Sequence, residues 1–400
     1  MGRANSILFY LFMLVVVLAP LPLGSNREWS WTLCALLTGG IALIQALGVV
    51  LLVGAGHARD SFSSQEKDIA GMARSHKVTT AVLSLGFFIV IAWALFQTTS
   101  NAPAGWAHPL WQQTSEVLHG DPDITAARIS LAPDDTFTAT MRLLSYGLVV
   151  SLAFQWGRSE YRARRAFQFL VGAGTLYALY GLLKFWSGSE TFFWFEGNNL
   201  WSSVHGTFVN RNHYASYTGL VLICALVLFY DKMVLKSGRP SPIPAGKLIP
   251  RGARAPTAAE RLEVFALQAW VPLLVILFLS TALILSHSRG GFLSTLAGAA
   301  VLLYALNSRR KIRSKRSMAV IFLAAGFAAI SFWLTSEVLL KRLDTQGLSD
   351  NLRFSAYELI QESSQENPLL GFGYGTFADS FRLYRSDEIS GYLDRAHNTY

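Results

Sequence analysis

Two short segments concentrate cationic and polar side chains beside long apolar runs. Residues 205–213, HGTFVNRNH, contain one arginine, two histidines and two asparagines, and residues 286–291, SHSRGG, contain a second arginine. A guanidinium presents its donors in a fixed fork that can bind a phosphate through two hydrogen bonds. Arg211 and Arg289 are therefore candidates for an anion site. A simpler interpretation is that both side chains contact lipid headgroups at a membrane boundary.

Other polar motifs lie in the C-terminal stretch and in an acidic loop. Residues 371–375, GFGYG, resemble a phosphate-binding loop only superficially, because no Lys-Ser/Thr follows them and no strand precedes them, so we predict a turn. Asp121 and Asp123 fit the Asp-x-Asp pattern with which many sugar-nucleotide transferases hold a divalent metal. Because this loop is acidic and contains a proline, we expect no metal there.

The composition indicates how these residues are positioned. Of 400 residues, 52% are hydrophobic and 15% are charged, and the mean hydropathy is +0.34; soluble domains carry about 25% charged residues. The apolar residues form runs of about 18–25, which match the hydrocarbon thickness of a bilayer. This excludes two or three soluble domains and predicts an all-α polytopic membrane protein. We predict nine transmembrane helices, at residues 7–23, 31–55, 78–98, 140–156, 167–186, 213–230, 264–286, 290–307 and 318–336.

The charge distribution predicts the orientation. With the N-terminus in the cytoplasm, the cytoplasmic segments hold 22 Lys/Arg and 7 Asp/Glu, and the rest of the chain holds 12 and 18. This asymmetry follows the positive-inside rule. The net charge of +9 therefore reflects topology, and we expect no nucleic-acid partner. Both candidate segments fall on the outer face.

The predicted organisation is a multi-span membrane domain, residues 1–336, followed by an outer loop, residues 337–400. Cys34 and Cys224 lie inside apolar runs, so we expect neither a disulfide framework nor a metal cluster.

Taken together, these segments resemble the O-antigen ligase superfamily, which includes O-antigen polymerases and other bacterial transferases of polyprenyl-diphosphate-linked glycans. Residues 22–25, PLGS, followed by Trp29, are similar to the family's opening after its first span. Residues 206–213 look like its Gly-Thr-Phe-x-Asn segment, and residues 286–291 look like its Ser-Arg-Gly signature. The fourth element resembles the family's large outer loop and comprises Arg353, Asn367-Pro368, Gly371, Gly373, Phe377 and His397-Asn398.

The resemblance implies a GT-C-like, metal-independent glycosyltransferase without a cofactor, in the bacterial inner membrane with a periplasmic site. It would move a glycan from undecaprenyl diphosphate to a hydroxyl of a sugar, a lipid A-core or a protein, with inversion. Arg211 and Arg289 would bind the donor diphosphate, and His397 would be the general base or orient the acceptor. Supporting roles would fall to Arg353, Asn210, Asn212, His213 and Asn398.

Family members continue with further spans beyond the position of Tyr400, so we expect the chain to continue beyond this residue. Two other classes of function stay open at this point. A polysaccharide transporter or flippase predicts ionisable residues near the bilayer midplane and broken helices. A non-catalytic component of an envelope assembly complex predicts that replacing the arginines leaves chemistry unchanged.

Overall fold

The computed structural model describes residues 2–54, 70–103, 105–118, 126–188, 191–192, 195–196, 203–232, 258–308 and 347–385. The described residues are overwhelmingly helical, which confirms the all-α prediction. The helices are α1 Gly2–Leu18, α2 Glu28–Gly54, α3 Ala70–Gln97, α4 Leu110–Val117, α5 Pro133–Gly157, α6 Glu160–Ser187, α7 Arg211–Tyr230, α8 Ala258–Leu285, α9 Arg289–Ser308, α10 Gly347–Glu366 and α11 Phe377–Phe381.

Within the described ranges, the elements other than α-helices are small. One 3₁₀ turn covers Leu23–Ser25, and two strands of two residues, β1 Thr191–Phe192 and β2 Phe195–Glu196, pair antiparallel between α6 and α7. Thr191 faces Glu196, and Phe192 faces Phe195.

Five of the helices are long and apolar enough to cross a membrane, so the chain is a multi-pass membrane protein. Three shorter apolar helices lie at Ala4–Leu18, Ala269–Leu285 and Arg289–Ala305. The predicted span 318–336 lies outside the described residues. A count of nine spans and a GT-C-like architecture stay predictions. The five spans are Glu28–Gly48, Val78–Gln97, Pro133–Gly157, Glu160–Ser187 and Arg211–Tyr230.

Each described helix that contains a predicted span begins before that span, and α5 and α6 show why. The predicted span 140–156 falls within α5, which begins at Pro133, a residue suited to the first helical position because its missing N–H has no helical partner there. Asp134 and Asp135 follow in its first turn, where the helix dipole favours carboxylates. The predicted span 167–186 falls within α6, whose N-cap is Ser159. Hydropathy marks the apolar part of a helix, whereas capping and backbone hydrogen bonds decide where the helix begins.

The chain divides into two compact units. The first unit contains residues 1–8, 32–155 and 341–400, and the second unit contains residues 9–31 and 156–340.

The core of the second unit lies among α6, α7 and α8. Leu182, Tyr214 and Leu279 are fully buried in one apolar cluster. Small residues allow the helices to approach closely: a Cβ at Gly174 would lie 2.5 Å from a methyl of Val221. Such small-residue contacts are typical of helix packing in membranes.

At one end of this unit, an ion pair joins the start of α6 to the end of α7. The Arg164 guanidinium lies 2.6 Å from the Asp231 carboxylate. The two helices are thus antiparallel, and the start of α7, with Arg211, lies at the opposite end.

In the first unit, the described part of the predicted outer loop is mostly helical. The α11 residue Phe381 is buried against Leu359 and Ile360 of α10. Phe377 stacks on Phe381 with ring centroids 5.2 Å apart. Residues 370–376 connect the two helices through turns, which confirms the turn predicted for the glycine run.

Candidate active site

Arg211 is the first residue of α7, and Asn210 is the N-cap of that helix. The Asn210 side chain accepts a hydrogen bond from the backbone N–H of Asn212, with 2.7 Å between Oδ1 and N. This bond satisfies one of the amide groups that lack a partner at a helix start. Arg211 and Asn212 are half-buried and His213 is exposed. Capping therefore fixes the place at which the Arg211 side chain leaves the backbone.

Arg289 occupies the equivalent position in α9. Ser288 precedes it, and the Ser288 hydroxyl accepts a hydrogen bond from Gly291 N at 3.2 Å. Ser286 Oγ donates to Leu283 O at 2.6 Å and accepts from Ser288 N at 3.3 Å. Between them, His287 adopts a positive φ of 54°. The two serines thus hold a tight reversal that places Arg289 at the start of a helix with its side chain exposed.

The starts of these two helices are in direct contact. A Cβ at Gly291 would lie 2.5 Å from Ala215 Cβ and 3.2 Å from the Ala215 backbone carbon. Ala215 is one helical turn beyond Arg211, and Gly291 is two residues beyond Arg289. The structure therefore brings the two predicted arginines onto adjoining first turns.

The loop before α7 is buried and held by its neighbours. Val204 N donates at 2.9 Å to the carbonyl oxygen of Leu285, which is the last residue of α8. Gly206 has a φ of 54°, and a Cβ there would lie 2.8 Å from the Tyr214 ring. A Cβ at Gly181 of α6 would lie 3.1 Å from Gly206 Cα. Only glycine fits this approach of loop to helix, which explains the glycine before Thr207.

His205 belongs to the same loop but is not a cation. Its Nδ1 lies 2.9 Å from Ser203 O, and the side chain is buried. Burial, opposed by the Ser203 hydrogen bond and reinforced by the charge of Lys184, lowers the pKa of His205 to about 4. Of the two histidines counted in the segment, His205 is a neutral structural residue at physiological pH.

The opening motif of the chain packs on this loop. Gly24 has a φ of 65°, and a Cβ there would lie 2.8 Å from Cδ1 of Phe208. The hydroxyl of Ser25 donates to Ala19 O at 2.5 Å. Three of the four segments that carry the family resemblance therefore meet in the second unit.

The electrostatic arrangement favours an anion. A helix start carries about half a positive charge, so a cation there is unfavourable by roughly 0.3–1 kcal/mol. Here two helix starts adjoin, and each begins with an arginine. A bound phosphate would interact favourably with both guanidinium groups and both helix starts.

The remaining predicted residues are distributed differently. Arg353 lies on α10 in the first unit. His397 and Asn398 lie outside the described residues, as do Asp121 and Asp123. Within the described ranges, no group of three His, Cys, Asp or Glu side chains could hold a metal ion.

The capping residues are the part of the site that the motif search missed. The sequence predicts only a supporting role for Asn210 and no role for Ser286 or Ser288. The signal was present, because Asn or Ser directly before a helical segment is a typical N-cap.

The fold and the site define a multi-pass helical membrane protein with cationic helix starts. Residues 274–400, about a third of the chain, match the family model described as O-antigen ligase. This match confirms the resemblance found in the sequence and supports the O-antigen ligase superfamily. The matched segment includes Arg289, Arg353 and His397, whereas Arg211 lies before it in the chain. No curated protein and no solved structure matches the chain significantly.

Proposed function

We propose that this protein transfers a glycan from a polyprenyl diphosphate to an acceptor hydroxyl on the periplasmic face of the inner membrane. The observation that carries the proposal is the contact between Gly291 and Ala215, which sets Arg211 and Arg289 on adjoining helix starts. The O-antigen ligase match supports the same reaction class, glycan transfer from a lipid-linked donor.

In the proposed reaction, the acceptor oxygen attacks the anomeric carbon of the donor sugar. The bond from that carbon to the diphosphate oxygen breaks, and the diphosphate leaves with the electron pair. Arg211 and Arg289 stabilise the negative charge that develops on it, as metal ions do in other transferases. The acceptor proton passes to His397, because histidine has a pKa suited to a base near neutral pH. In-line displacement inverts the anomeric centre.

Supporting roles follow from position. Asn210 keeps the start of α7 in place, because its side chain accepts a hydrogen bond from the backbone N–H of Asn212. Asn212 has a supporting role beside Arg211. His213, which is exposed on the first turn of α7, is available to a bound donor. Arg353 would support the outer loop or the phosphate, and Asn398 would have a supporting role. A sugar, a lipid A-core or a protein could each provide the hydroxyl, and the donor is the shared requirement.

The test is glycan transfer by the purified full-length protein, with a polyprenyl-diphosphate glycan and an acceptor, in the presence of EDTA. We expect Arg211→Ala and Arg289→Ala each to reduce turnover by at least about 10²-fold, because each removes stabilisation of the leaving group. The matched control is Arg165→Ala, which removes an exposed arginine at the start of α6, and it should stay within about twofold of wild type.

Wild-type turnover in both site variants, at equal folding, would contradict the proposed site. Strict dependence on a divalent metal would contradict the metal-independent mechanism. Donor binding without any transfer would favour a transporter.

A further inference from the structure

Gln97, the last residue of α3, binds both edges of a loop far along the chain. Its side chain is 4% exposed. The amide Nε2 donates to Leu370 O at 3.2 Å, and Oε1 accepts from Tyr374 N at 3.0 Å. One side chain therefore satisfies two backbone groups in a segment more than 270 residues away. Buried amides with both ends bonded to backbone are costly to replace, because either lost partner leaves a buried polar group.

The loop itself, residues 370–376, is shaped to fit this end of the first unit, and we call it the clasp loop. Leu131 N donates to Phe372 O at 3.0 Å. A Cβ at Gly373 would lie 2.5 Å from Ser130 Oγ and 2.9 Å from Ser130 Cα, and the φ of Gly373 is 110°. The glycine run thus serves close packing rather than phosphate binding.

The receiving side is built from the chain around residue 130. Ser130 N donates to the backbone carbonyl of Gln97 at 3.0 Å, and Trp111 Nε1 donates to Ser130 O at 3.2 Å. The Ser130 hydroxyl lies 2.7 Å from that of Thr136 in α5. The end of α3 and the start of α5 are therefore tied together where the clasp loop docks.

The clasp loop also fixes the segments on either side of it. The Phe372 ring lies 5.4 Å from the His108 ring and 5.8 Å from the Tyr384 ring, measured between centroids. The Tyr384 hydroxyl donates to the Glu366 carboxylate at the end of α10. The clasp loop thus holds together the end of α10 and the residues directly after α11.

We propose that Gln97 is a positioning residue for glycan transfer, whose amide holds the clasp loop, and through it the adjoining helix α10 with Arg353, in the productive arrangement. This inference rests on the proposed function, because Arg353 has a role only if transfer is the reaction. It assigns no contact between Gln97 and substrate. Its consequence is that Gln97 should govern turnover and leave donor binding unchanged.

The experiment combines hydrogen exchange with kinetics on the full-length protein and a polyprenyl-diphosphate glycan. In Gln97→Ala, we expect amide exchange across residues 370–376 to rise by at least about tenfold, since the Tyr374 N–H loses its acceptor. We expect kcat to fall by at least about tenfold while KM for the donor stays within about twofold. Gln112→Ala, at an exposed glutamine of α4, is the matched control and should change neither.

A second variant separates positioning from simple loss of stability. In Gln97→Glu, a carboxyl oxygen still accepts from Tyr374 N, but the side chain no longer supplies the amide donor to Leu370 O. We therefore expect the Tyr374 amide to exchange more slowly than in Gln97→Ala while kcat still falls, an outcome that a uniform loss of stability would not produce.

A third variant acts on the loop side. Gly373→Ala should reproduce the faster exchange, because its Cβ would overlap Ser130. Gly371→Ala shares the strain of a positive φ, here 64°, but its Cβ meets no atom within 4 Å, so it should perturb exchange less. Unchanged exchange in Gln97→Ala would overturn the contact. If exchange changed while kcat did not, or if donor binding fell as much as kcat, the positioning role would be overturned. If the wild-type protein transfers no glycan, the proposed function fails. Faster exchange in Gln97→Ala would then still show that the Gln97 contact holds the clasp loop.

Discussion

In the second unit, Arg211 and Arg289 begin two adjoining helices, whereas in the first unit the uncharged amide of Gln97 holds the outer segment. Both regions contain segments that resemble the O-antigen ligase superfamily, and both depend on glycines at close contacts. The two regions differ in the purpose of the close contact at the glycine. In the second unit it sets two cations side by side, and in the first unit it seals a neutral loop against the ends of two helices.

The difference indicates that the helix starts of the second unit serve to bind a ligand, whereas the clasp loop serves to position a segment of the chain. Cations at helix starts are unfavourable without an anion, so that region is suited to a charged ligand. The clasp loop has partners within the protein for the carbonyls of Leu370 and Phe372 and for the N–H of Tyr374, so that region is suited to holding chain in place. A change in the first region should act on ligand affinity and charge stabilisation, and a change in the second should act on the order of the outer segment.

The largest expected effect comes from separating the two helix starts. In Gly291→Ala, the added Cβ would lie 2.5 Å from Ala215 Cβ, closer than real Cβ contacts, so α7 and α9 must move apart. Overpacking of this kind costs about 1–3 kcal/mol. A displacement of roughly 1 Å at the reacting groups can reduce turnover by about 10²-fold. Glycan transfer and thermal unfolding in detergent measure the two effects.

The matched control for this variant is Gly172→Ala in α6, where a Cβ has nothing within 4 Å. Alanine is favoured over glycine inside a helix by about 1 kcal/mol, so this variant should be as stable as wild type or more stable. If Gly291→Ala also stabilised the protein and kept full turnover, the close contact would not be what positions the arginines.

The next effect tests whether the loop of the second unit must stay neutral. Because burial lowers the pKa of His205 to about 4 from an ordinary 6.5, the unfolded chain takes up a proton first as the pH falls. The stabilisation from neutral His205 is complete above pH 6.5 and is lost progressively between pH 6.5 and pH 4. The loss reaches about 3 kcal/mol, at 1.36 kcal/mol for each pH unit. Thermal unfolding across this range measures it.

The comparison for this prediction is His205→Gln against His213→Gln. The first removes the buried titrating group and should flatten the dependence of stability on pH between 4 and 6.5. The second replaces an exposed histidine two residues after Arg211 and controls for the loss of an imidazole from the same segment. Equal slopes in all three proteins would show that protonation of His205 does not limit stability.

The two regions also differ in how much of each could be predicted from the sequence. Arg211 and Arg289 were predicted because cations next to apolar runs are visible as residue types, and the helices were predicted because apolar runs have a characteristic length. The Gln97 contact could not be predicted, since a single glutamine at the end of an apolar helix carries no signal for a loop more than 270 residues away. The close contact of Gly291 with Ala215 depends on helix packing, which periodicity alone does not determine.

The smallest effect tests the region of the second unit through its capping bonds. Asn210 and Ser288 each cap the helix that begins with an arginine, so Asn210→Ala and Ser288→Ala should each lower stability by about 1 kcal/mol. Because a frayed first turn no longer fixes its arginine, the affinity for inorganic diphosphate should fall in both variants, as measured by calorimetry. Ser159→Ala removes the corresponding cap of α6, whose first turn carries no proposed site residue. Ser159→Ala should lower stability by a similar amount and leave the affinity for diphosphate unchanged. If Ser159→Ala lost as much affinity as the other two variants, the caps would act through general stability rather than through the two arginines.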